Sequence, residues 1–390
     1  MGQVTPIGAA RPKAIEFFAG IGLARMGLEA SGFRVTWAND YAPDKKAMYD
    51  AQFGSTPDHS FALGDIGEVE ASSLPQDAAL AWASSPCTDL SLAGGRAGLA
   101  GRQSGTFWHF IRLLRELGDQ RPEAVVLENV TGLATSHGGD DLTAAIRAFN
   151  ELGYSIDPLV IDARRFVPQS RSRLFLVGAM NPPEDAARNG HELRPDWLSW
   201  VFRDSSLVTH RAILPAPPTP RDEGLGQLIE EIPLHDGRWW DGSRTAAFLS
   251  SLSAVQLDRL EALRHGPGVR YRTAYRRTRQ GVAVWEVRAD DISGCLRTAR
   301  GGSSKQAVVR LGNQELGIRW MTPLEYARLM GAGDYNLSAA RTNQALYGFG
   351  DAVAVPAVSW LAAQYLMPLV KGHMHAQDTS AVQGTRAGAE

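Results

Sequence analysis

Cys87 follows Pro86 at the end of an apolar run, residues 78–83, that reads as a short buried strand. A thiol just past a strand end, on a loop stiffened by proline, can face a cleft as a nucleophile. An ordinary thiol has a pKa of about 8.5, so it needs a nearby cation, a helix N-terminus or a substrate that completes the site. A lone cysteine is most often structural; the neighbours of this one argue otherwise. Glu128-Asn129 closes a second apolar run, 124–127, setting a carboxyl and a carboxamide at another strand end. Gln169-Ser170-Arg171-Ser172-Arg173 carries two arginines at i, i+2, which project to one side if the chain is extended.

A second set of residues suits an adenosine-bearing ligand. A strand over 13–18 runs into Ala19-Gly20-Ile21-Gly22-Leu23 and then a helix to about residue 31. Strand, glycine turn and helix together let backbone N–H groups approach a ligand. The glycine spacing departs from G-x-G-x-x-G, because Gly27 is the next glycine, so a dinucleotide is disfavoured. The next strand, 34–38, ends in Asn39-Asp40-Tyr41. Asp40 can hold a ribose through its hydroxyls and Tyr41 can stack on adenine; the alternative is that Asp40 caps the helix over 43–53. A third apolar stretch ends at Gly64-Asp65-Ile66, adding an acid at the same sheet edge. Residues 92–106 hold five glycines with Arg96 and Arg102. That suits a mobile lid over an anionic substrate, with Ser91 and Gln103 as further contacts.

These elements need a scaffold, and the chain is long enough for a large domain and a smaller one. It has 390 residues, 44% hydrophobic, with a net charge of −2. Two cysteines, Cys87 and Cys295, disfavour a disulfide framework and a multi-cysteine zinc site; no metal is expected. No apolar leader opens the sequence, which reads as cytosolic. The apolar run 352–370 is interrupted by Pro356, Ser359, Gln364 and Pro368, so a core helix is expected rather than a membrane span. The charge is unevenly spread. Residues 264–310 carry eleven Arg or Lys against three acids, a local +8 that leaves −10 elsewhere. Concentrated basicity is an electrostatic footprint for phosphate, weighed against an ordinary solvated surface. Residues 181–312 also read as a separate unit, Pro-rich at 215–220 and with Trp197, Trp200, Trp239 and Trp240 expected at the surface. Within it Arg297 and Arg300, among threonine and glycines, suit approach to a phosphate backbone, and Cys295 reads as structural. The stretch after Gly372 is small and polar and reads as disordered.

The motifs together carry a resemblance. Phe18-Ala19-Gly20-Ile21-Gly22, Pro86-Cys87, Glu128-Asn129-Val130 and Gln169-x-Arg171-x-Arg173 resemble, in order and spacing, the motifs of the DNA cytosine-5 methyltransferases. Arg319-Trp320-Met321-Thr322-Pro323 and Gly348-Phe349-Gly350-Asp351-Ala352-Val353 resemble the ninth and tenth motifs of that family. The sequence departs from the pattern at Ser84-Ser85, at Thr88-Asp89 and at Asp351, where asparagine is usual.

The resemblance implies an α/β fold: a Rossmann-like, S-adenosylmethionine-dependent methyltransferase sheet with a smaller inserted target-recognition domain. The implied division is a catalytic domain over 1–180, a recognition domain over 181–312, a C-terminal part over 313–370 completing the catalytic domain, and a disordered tail over 371–390. It implies S-adenosyl-L-methionine held by Phe18, Ala19, Gly20, Gly22, Leu23, Asp40, Tyr41, Asp65, Ile66, Asp351, Ala352 and Val353. It implies double-stranded DNA as substrate and a monomer. Cys87 would add to C6 of a flipped-out cytosine, and Glu128, protonated, would donate to ring N3. Pro86 and Asn129 would shape the loops, and Arg171 and Arg173 would position the ring carbonyl or the adjacent phosphate. DNA contacts would come from Ser91, Arg96, Arg102, Gln103, Arg297 and Arg300. The alternatives are a tRNA cytosine methyltransferase, an idle DNA-binding paralogue and, more distantly, a nicotinamide-dependent oxidoreductase.

Overall fold

The computed structural model describes residues 11–86, 105–185, 192–279, 281–297 and 305–372. Short apolar strands separated by amphipathic helices build a seven-stranded sheet: β1 (Lys13–Phe17), β2 (Arg34–Asp40), β3 (Ser60–Leu63), β4 (Leu80–Ser84), β5 (Ala124–Val130), β6 (Ser155–Asp162) and β7 (Ser172–Ala179). Its order is β3-β2-β1-β4-β5-β7-β6. The pairs from β3 to β5 are parallel, while β7 runs antiparallel to both β5 and β6. Parallel neighbours require crossovers, supplied by α1 (Leu23–Ala30), α2 (Pro43–Phe53) and α3 (Thr106–Glu116).

Both faces of this sheet are covered, so its central strands are apolar on both sides. Ile15 and Phe17 of β1 join α3 and α4 (Asp140–Asn150) in one core. Ala14 of β1 joins the other core, with α1 and the C-terminal helices α7 (Pro323–Leu329), α8 (Thr342–Asp351) and α9 (Val355–Leu361).

A second, four-stranded antiparallel sheet has the order β11-β10-β8-β9, from β8 (Arg270–Arg279), β9 (Val282–Val287), β10 (Ala307–Gly312) and β11 (Glu315–Trp320). Its own core joins Ala274, Val309 and Ile318 to Phe248 of α5 (Gly242–Ser250) and Leu260 of α6 (Ala254–His265). The fold is therefore α/β and Rossmann-like, with a smaller second unit.

Two expectations shift. The limits 181 and 312 do not follow the packing. Leu193, Ala212 and Leu214 pack in the core that holds Ala14 and α1, Leu198, Val201 and Leu207 in the core that holds Ile15 and α3, and Ile156 N–H donates to Val208 O at 3.1 Å. The 307–320 hairpin belongs wholly to the second sheet, so a limit at 312 divides it. The tryptophans are also less exposed than expected. Of Trp197, Trp200, Trp239 and Trp240, Trp197 alone is exposed, at 44%. Trp200 lies on Gly139, Trp239 on Gly317, and Trp240 in an aromatic cluster with Phe248, Trp285 and Trp320.

The apolar run at the end is a core element. The segment Ala352–Ala354 separates α8 from α9, with extended backbone at Ala352 and Ala354. Beyond it Val358, Leu361, Tyr365 and Leu366 are buried in the core that holds Ala14 and α1.

Candidate active site

Parallel pairing brings the C-terminal ends of β1, β2, β4 and β5 to one edge. Phe17 stands opposite both Asn39 and Ala83, and Ser84 stands opposite Glu128. The glycine turn, Asp40, Pro86 and Glu128 thus leave neighbouring strands along one line. This is the edge at which open α/β sheets bind ligands.

The glycine turn is held from beneath. Phe18, Gly20 and Gly22 have φ of 57°, 57° and 81°, left-handed backbone that glycine takes readily and phenylalanine does not. Such strain persists where the surroundings fix it. Here Ala19 N–H donates to Asn39 O at 2.8 Å and Gly20 N–H to Asp40 Oδ2 at 2.9 Å. The other oxygen of Asp40 accepts from Ala42 N–H at 2.9 Å. So Asp40 braces the turn and holds the Ala42 N–H that leads into α2, which has no side-chain cap, with lone pairs left for ribose hydroxyls. Tyr41, 61% exposed, stands beside it as an open aromatic face. Asp65 is exposed and accepts from Gly67 N–H at 2.8 Å, while Ile66 is buried beneath it. Helix α1 starts at Gly22 and Leu23 without a side-chain cap, leaving amide donors at its N-terminus for a ligand. A compact adenosine ligand with a polar tail suits this donor set.

The C-terminal part closes over the same turn. The Tyr335 hydroxyl lies 2.8 Å from Ile21 O and 3.0 Å from Met48 O. A Cβ on Gly348 of α8 would fall 2.7 Å from Ile21 Cγ2, so the close approach needs glycine there. At the end of α8, Asp351 pairs with Lys45 of α2, leading into Ala352 and the buried Val353.

At the β4 and β5 ends the Asn129 carboxamide is fixed. Its Nδ2 donates to Ser85 Oγ at 2.9 Å and Ser85 O at 3.3 Å, and its Oδ1 accepts from Val130 N–H at 2.8 Å. Ser85 and Pro86 therefore leave β4 in a defined direction. Cys87, Ser91, Arg96, Arg102, Gln103 and Arg300 lie outside the described residues. Glu128 is buried, and its Oε1 lies 3.2 Å from Arg173 Nε. Arg173 arrives there because antiparallel β7 sets it opposite Val130.

Arg171, expected at the ring with Arg173, is committed elsewhere. It precedes β7 and is 2% exposed. Its Nη1 donates to Leu296 O at 2.7 Å and to Cys295 Sγ at 3.3 Å; its Nη2 donates to Gly350 O at 3.0 Å and to Ala352 O. It fastens three distant segments behind the site. Gln169 does similar work: Nε2 donates to Leu329 O at 2.7 Å and Oε1 accepts from Leu296 N–H at 3.2 Å.

Cys295, expected to be structural, is held by the same Arg171 guanidinium. Burial raises its pKa, but the charges of Arg171, Arg173 and Arg297 outweigh burial, and the thiol is lowered from its ordinary value. Its local sequence offers only Arg297, because Arg171 and Arg173 come from another segment. Lys45 and Tyr335 likewise carry no local signal.

The basic segment is partly neutralised. Arg264 pairs with Glu261, Arg272 with Asp291, Arg277 with Glu286, Arg288 with Asp290 and Arg310 with Glu315. Arg270, Arg276 and Arg297 carry no such ion pair among the described residues.

This glycine turn, strand-end acids and C-terminal closure define the class of α/β methyltransferases that use S-adenosyl-L-methionine. The sequence model described as C-5 cytosine-specific DNA methylase matches residues 12–366, and the chain belongs to that family. It is 34% identical over 170 residues to the type II methyltransferase M.MspI of Moraxella sp., covering 43% of this chain and 39% of that protein. It therefore spans well under two thirds of that relative's length. It is 25% identical over 413 residues to the type II methyltransferase M.Sau3AI of Staphylococcus aureus, covering 90% of this chain and 95% of that one. The structure of the Entamoeba histolytica methyltransferase EhMeth shares the fold, with a TM-score of 0.61 at 13% identity over 94% of this chain and 100% of that one.

Proposed function

We propose that the protein transfers the methyl group of S-adenosyl-L-methionine to C5 of a cytosine flipped out of double-stranded DNA, through a covalent Cys87 adduct. The observation that carries this reading is the convergence of the braced glycine turn, the Ser85–Pro86 exit and the Glu128–Arg173 pair on one sheet edge. The Cys87 thiolate adds to C6, which makes C5 nucleophilic and splits one hard step into easier ones. The cofactor supplies an electrophilic methyl group. Glu128 donates to N3 as negative charge builds on the ring, Arg173 orients Glu128, and Asn129 directs the loop carrying the thiol. Loss of the C5 proton and elimination then free Cys87.

Phe18, Ala19, Gly20, Gly22 and Leu23 form the floor of the cofactor pocket in this reading. Asp40 takes the ribose, Tyr41, Asp65 and Ile66 take the adenine, and Asp351, Ala352 and Val353 close it. A stacked base cannot reach such an edge, so the cytosine must leave the duplex, at about a few kcal/mol. The second sheet and its helices, roughly residues 234–320 on the packing, serve as the recognition unit. The type II relatives favour a modification enzyme of a restriction–modification or phage-defence system, acting as a cytoplasmic monomer on DNA. Bisulfite sequencing of DNA from cells expressing the protein and its Cys87→Ala variant tests the reading. Methylated cytosines in one sequence context, absent with Cys87→Ala, are expected. Unmodified DNA with methylated tRNA overturns it.

A further inference from the structure

Lys45 extends from α2 across the glycine turn. Its Cδ lies 3.9 Å from where a Gly20 Cβ would stand, and its Nζ reaches the Asp351 carboxylate at 2.9 Å. The side chains of Lys45 and Asp351 keep 22% and 38% of their exposure, so the pair lies near the surface and not in the core. Asp40, whose carboxylate braces Gly20 N–H, also faces Lys45 electrostatically. One ammonium thus stands between two carboxylates, one from the first βα unit and one from the last part of the chain to return.

Accepting the cofactor pocket proposed above, we propose that Lys45 is a positioning residue of that pocket: its ion pair with Asp351 ties α2 to the end of α8 and closes the two halves around the cofactor. Other contacts join the same halves, from Tyr335 and from Gly348 packed on Ile21 inside the structure and from Asn336 to Ala51 and Gln52 at its surface. The Lys45–Asp351 pair is the tie that lies beside the glycine turn itself. It also sets the charge there. With Lys45 present the three groups sum to one negative charge; without it they sum to two. S-adenosylmethionine carries a sulfonium cation that S-adenosylhomocysteine lacks. Losing Lys45 therefore loosens the grip on both ligands while tilting the preference towards the sulfonium.

Calorimetric titration of both ligands into wild type, Lys45→Met, Lys45→Arg, Asp351→Ala and the Lys45→Met/Asp351→Ala double variant tests this. Met keeps the stem that covers the turn, and thermal melts establish that each variant is folded. Lys45→Met is expected to weaken S-adenosylmethionine binding about tenfold and S-adenosylhomocysteine binding more. Lys45→Arg should restore affinity to within about threefold, and the double variant should bind no worse than the weaker single. Wild-type affinity in Lys45→Met, no rescue by Lys45→Arg, or losses that simply add in the double variant overturns the proposal. Asp40→Ala and Tyr41→Ala serve as separate controls. Unchanged binding in both of these means that the pocket lies elsewhere, whatever Lys45 does.

Discussion

Asn129 donates its carboxamide N–H to the Ser85 hydroxyl at 2.9 Å, a contact between the residue after the candidate acid and the second residue before the candidate nucleophile. The two strand ends are thereby locked in register beyond their last backbone pair, Ser84 with Glu128. Displacing a reacting group by about 1 Å can lower turnover about a hundredfold. Asn129→Ala is therefore expected to reduce kcat by ~10–100-fold with little change in cofactor affinity. Single-turnover methylation beside calorimetry checks it; an equal loss in both would make Asn129 a general stabiliser.

The thiols should separate cleanly. Cys87→Ser is expected to abolish transfer while DNA and cofactor binding survive, because only the thiolate is nucleophilic enough to add to the ring. Cys295→Ser keeps a polar partner for Arg171 and should stay within a few fold of wild type. Methylation by Cys87→Ser within tenfold of wild type sinks the assignment.

What was legible in the sequence was whatever depended on local pattern. The glycine turn, Asp40 and Glu128 stand at strand ends because apolar runs end there, and parallel pairing then aligns them without further information. Contacts made by residues far apart in the chain were not legible. Arg171 looks like a second active-site cation beside Arg173, but its carbonyl partners come from 296, 350 and 352. Trp240 looks exposed because its aromatic neighbours arrive later, from 285 and 320. A limit at 312 divides the second sheet for a related reason. The ninth-motif residues Arg319 and Trp320 close a hairpin of the second sheet, and the buried Arg319–Glu325 pair then fastens that sheet to α7.

Asp40 has two jobs that one substitution removes together. Asp40→Ala should weaken S-adenosylmethionine binding by about 1–3 kcal/mol, the scale of charged hydrogen bonds. It should also lower the melting temperature, since Gly20 and Ala42 lose their acceptor. Asp40→Asn, which keeps an acceptor oxygen, should recover stability more than affinity. Unchanged affinity in Asp40→Ala would leave Asp40 only its bonds to Gly20 and Ala42.

Glu16 lies buried under α1, accepts from the Arg25 backbone N–H, and leaves Oε2 without a partner. Burial pushes its carboxyl up from 4.5 to about 8, with Arg25 opposing. The folded state therefore holds a proton that the unfolded chain releases, so this contribution is full below pH 4.5 and is lost as pH rises towards 8. Each pH unit in that window removes at most about 1.4 kcal/mol. Burial, helped by Arg25, lowers His59 to about 4, which acts in the opposite sense as pH falls through about 6.5. The slope from about pH 6.5 to 8 is thus the reading that isolates Glu16. Urea unfolding should show wild type losing stability across that range and Glu16→Gln not. Equal slopes would refute the buried-proton account.

The last expectation concerns the arginines left unpaired after the neighbours of the basic segment are taken into account. Arg276 of β8 and the exposed Arg297 carry no ion pair among the described residues, whereas Arg277 is already matched by Glu286 at 3.1 Å. If the second sheet faces the duplex, phosphate contact falls to the first two. Each lost contact should lower the salt-dependence slope by about one, so Arg276→Ala/Arg297→Ala should lower it by about two. Arg277→Ala should change it less, because its charge is already offset. A guanine contact by either residue would instead relax specificity at one position, with about 1–3 kcal/mol of discrimination lost. Binding to cognate and non-cognate duplexes across a salt series separates these outcomes. Unchanged affinity, slope and specificity in the double variant would show that this stretch is ordinary solvated surface.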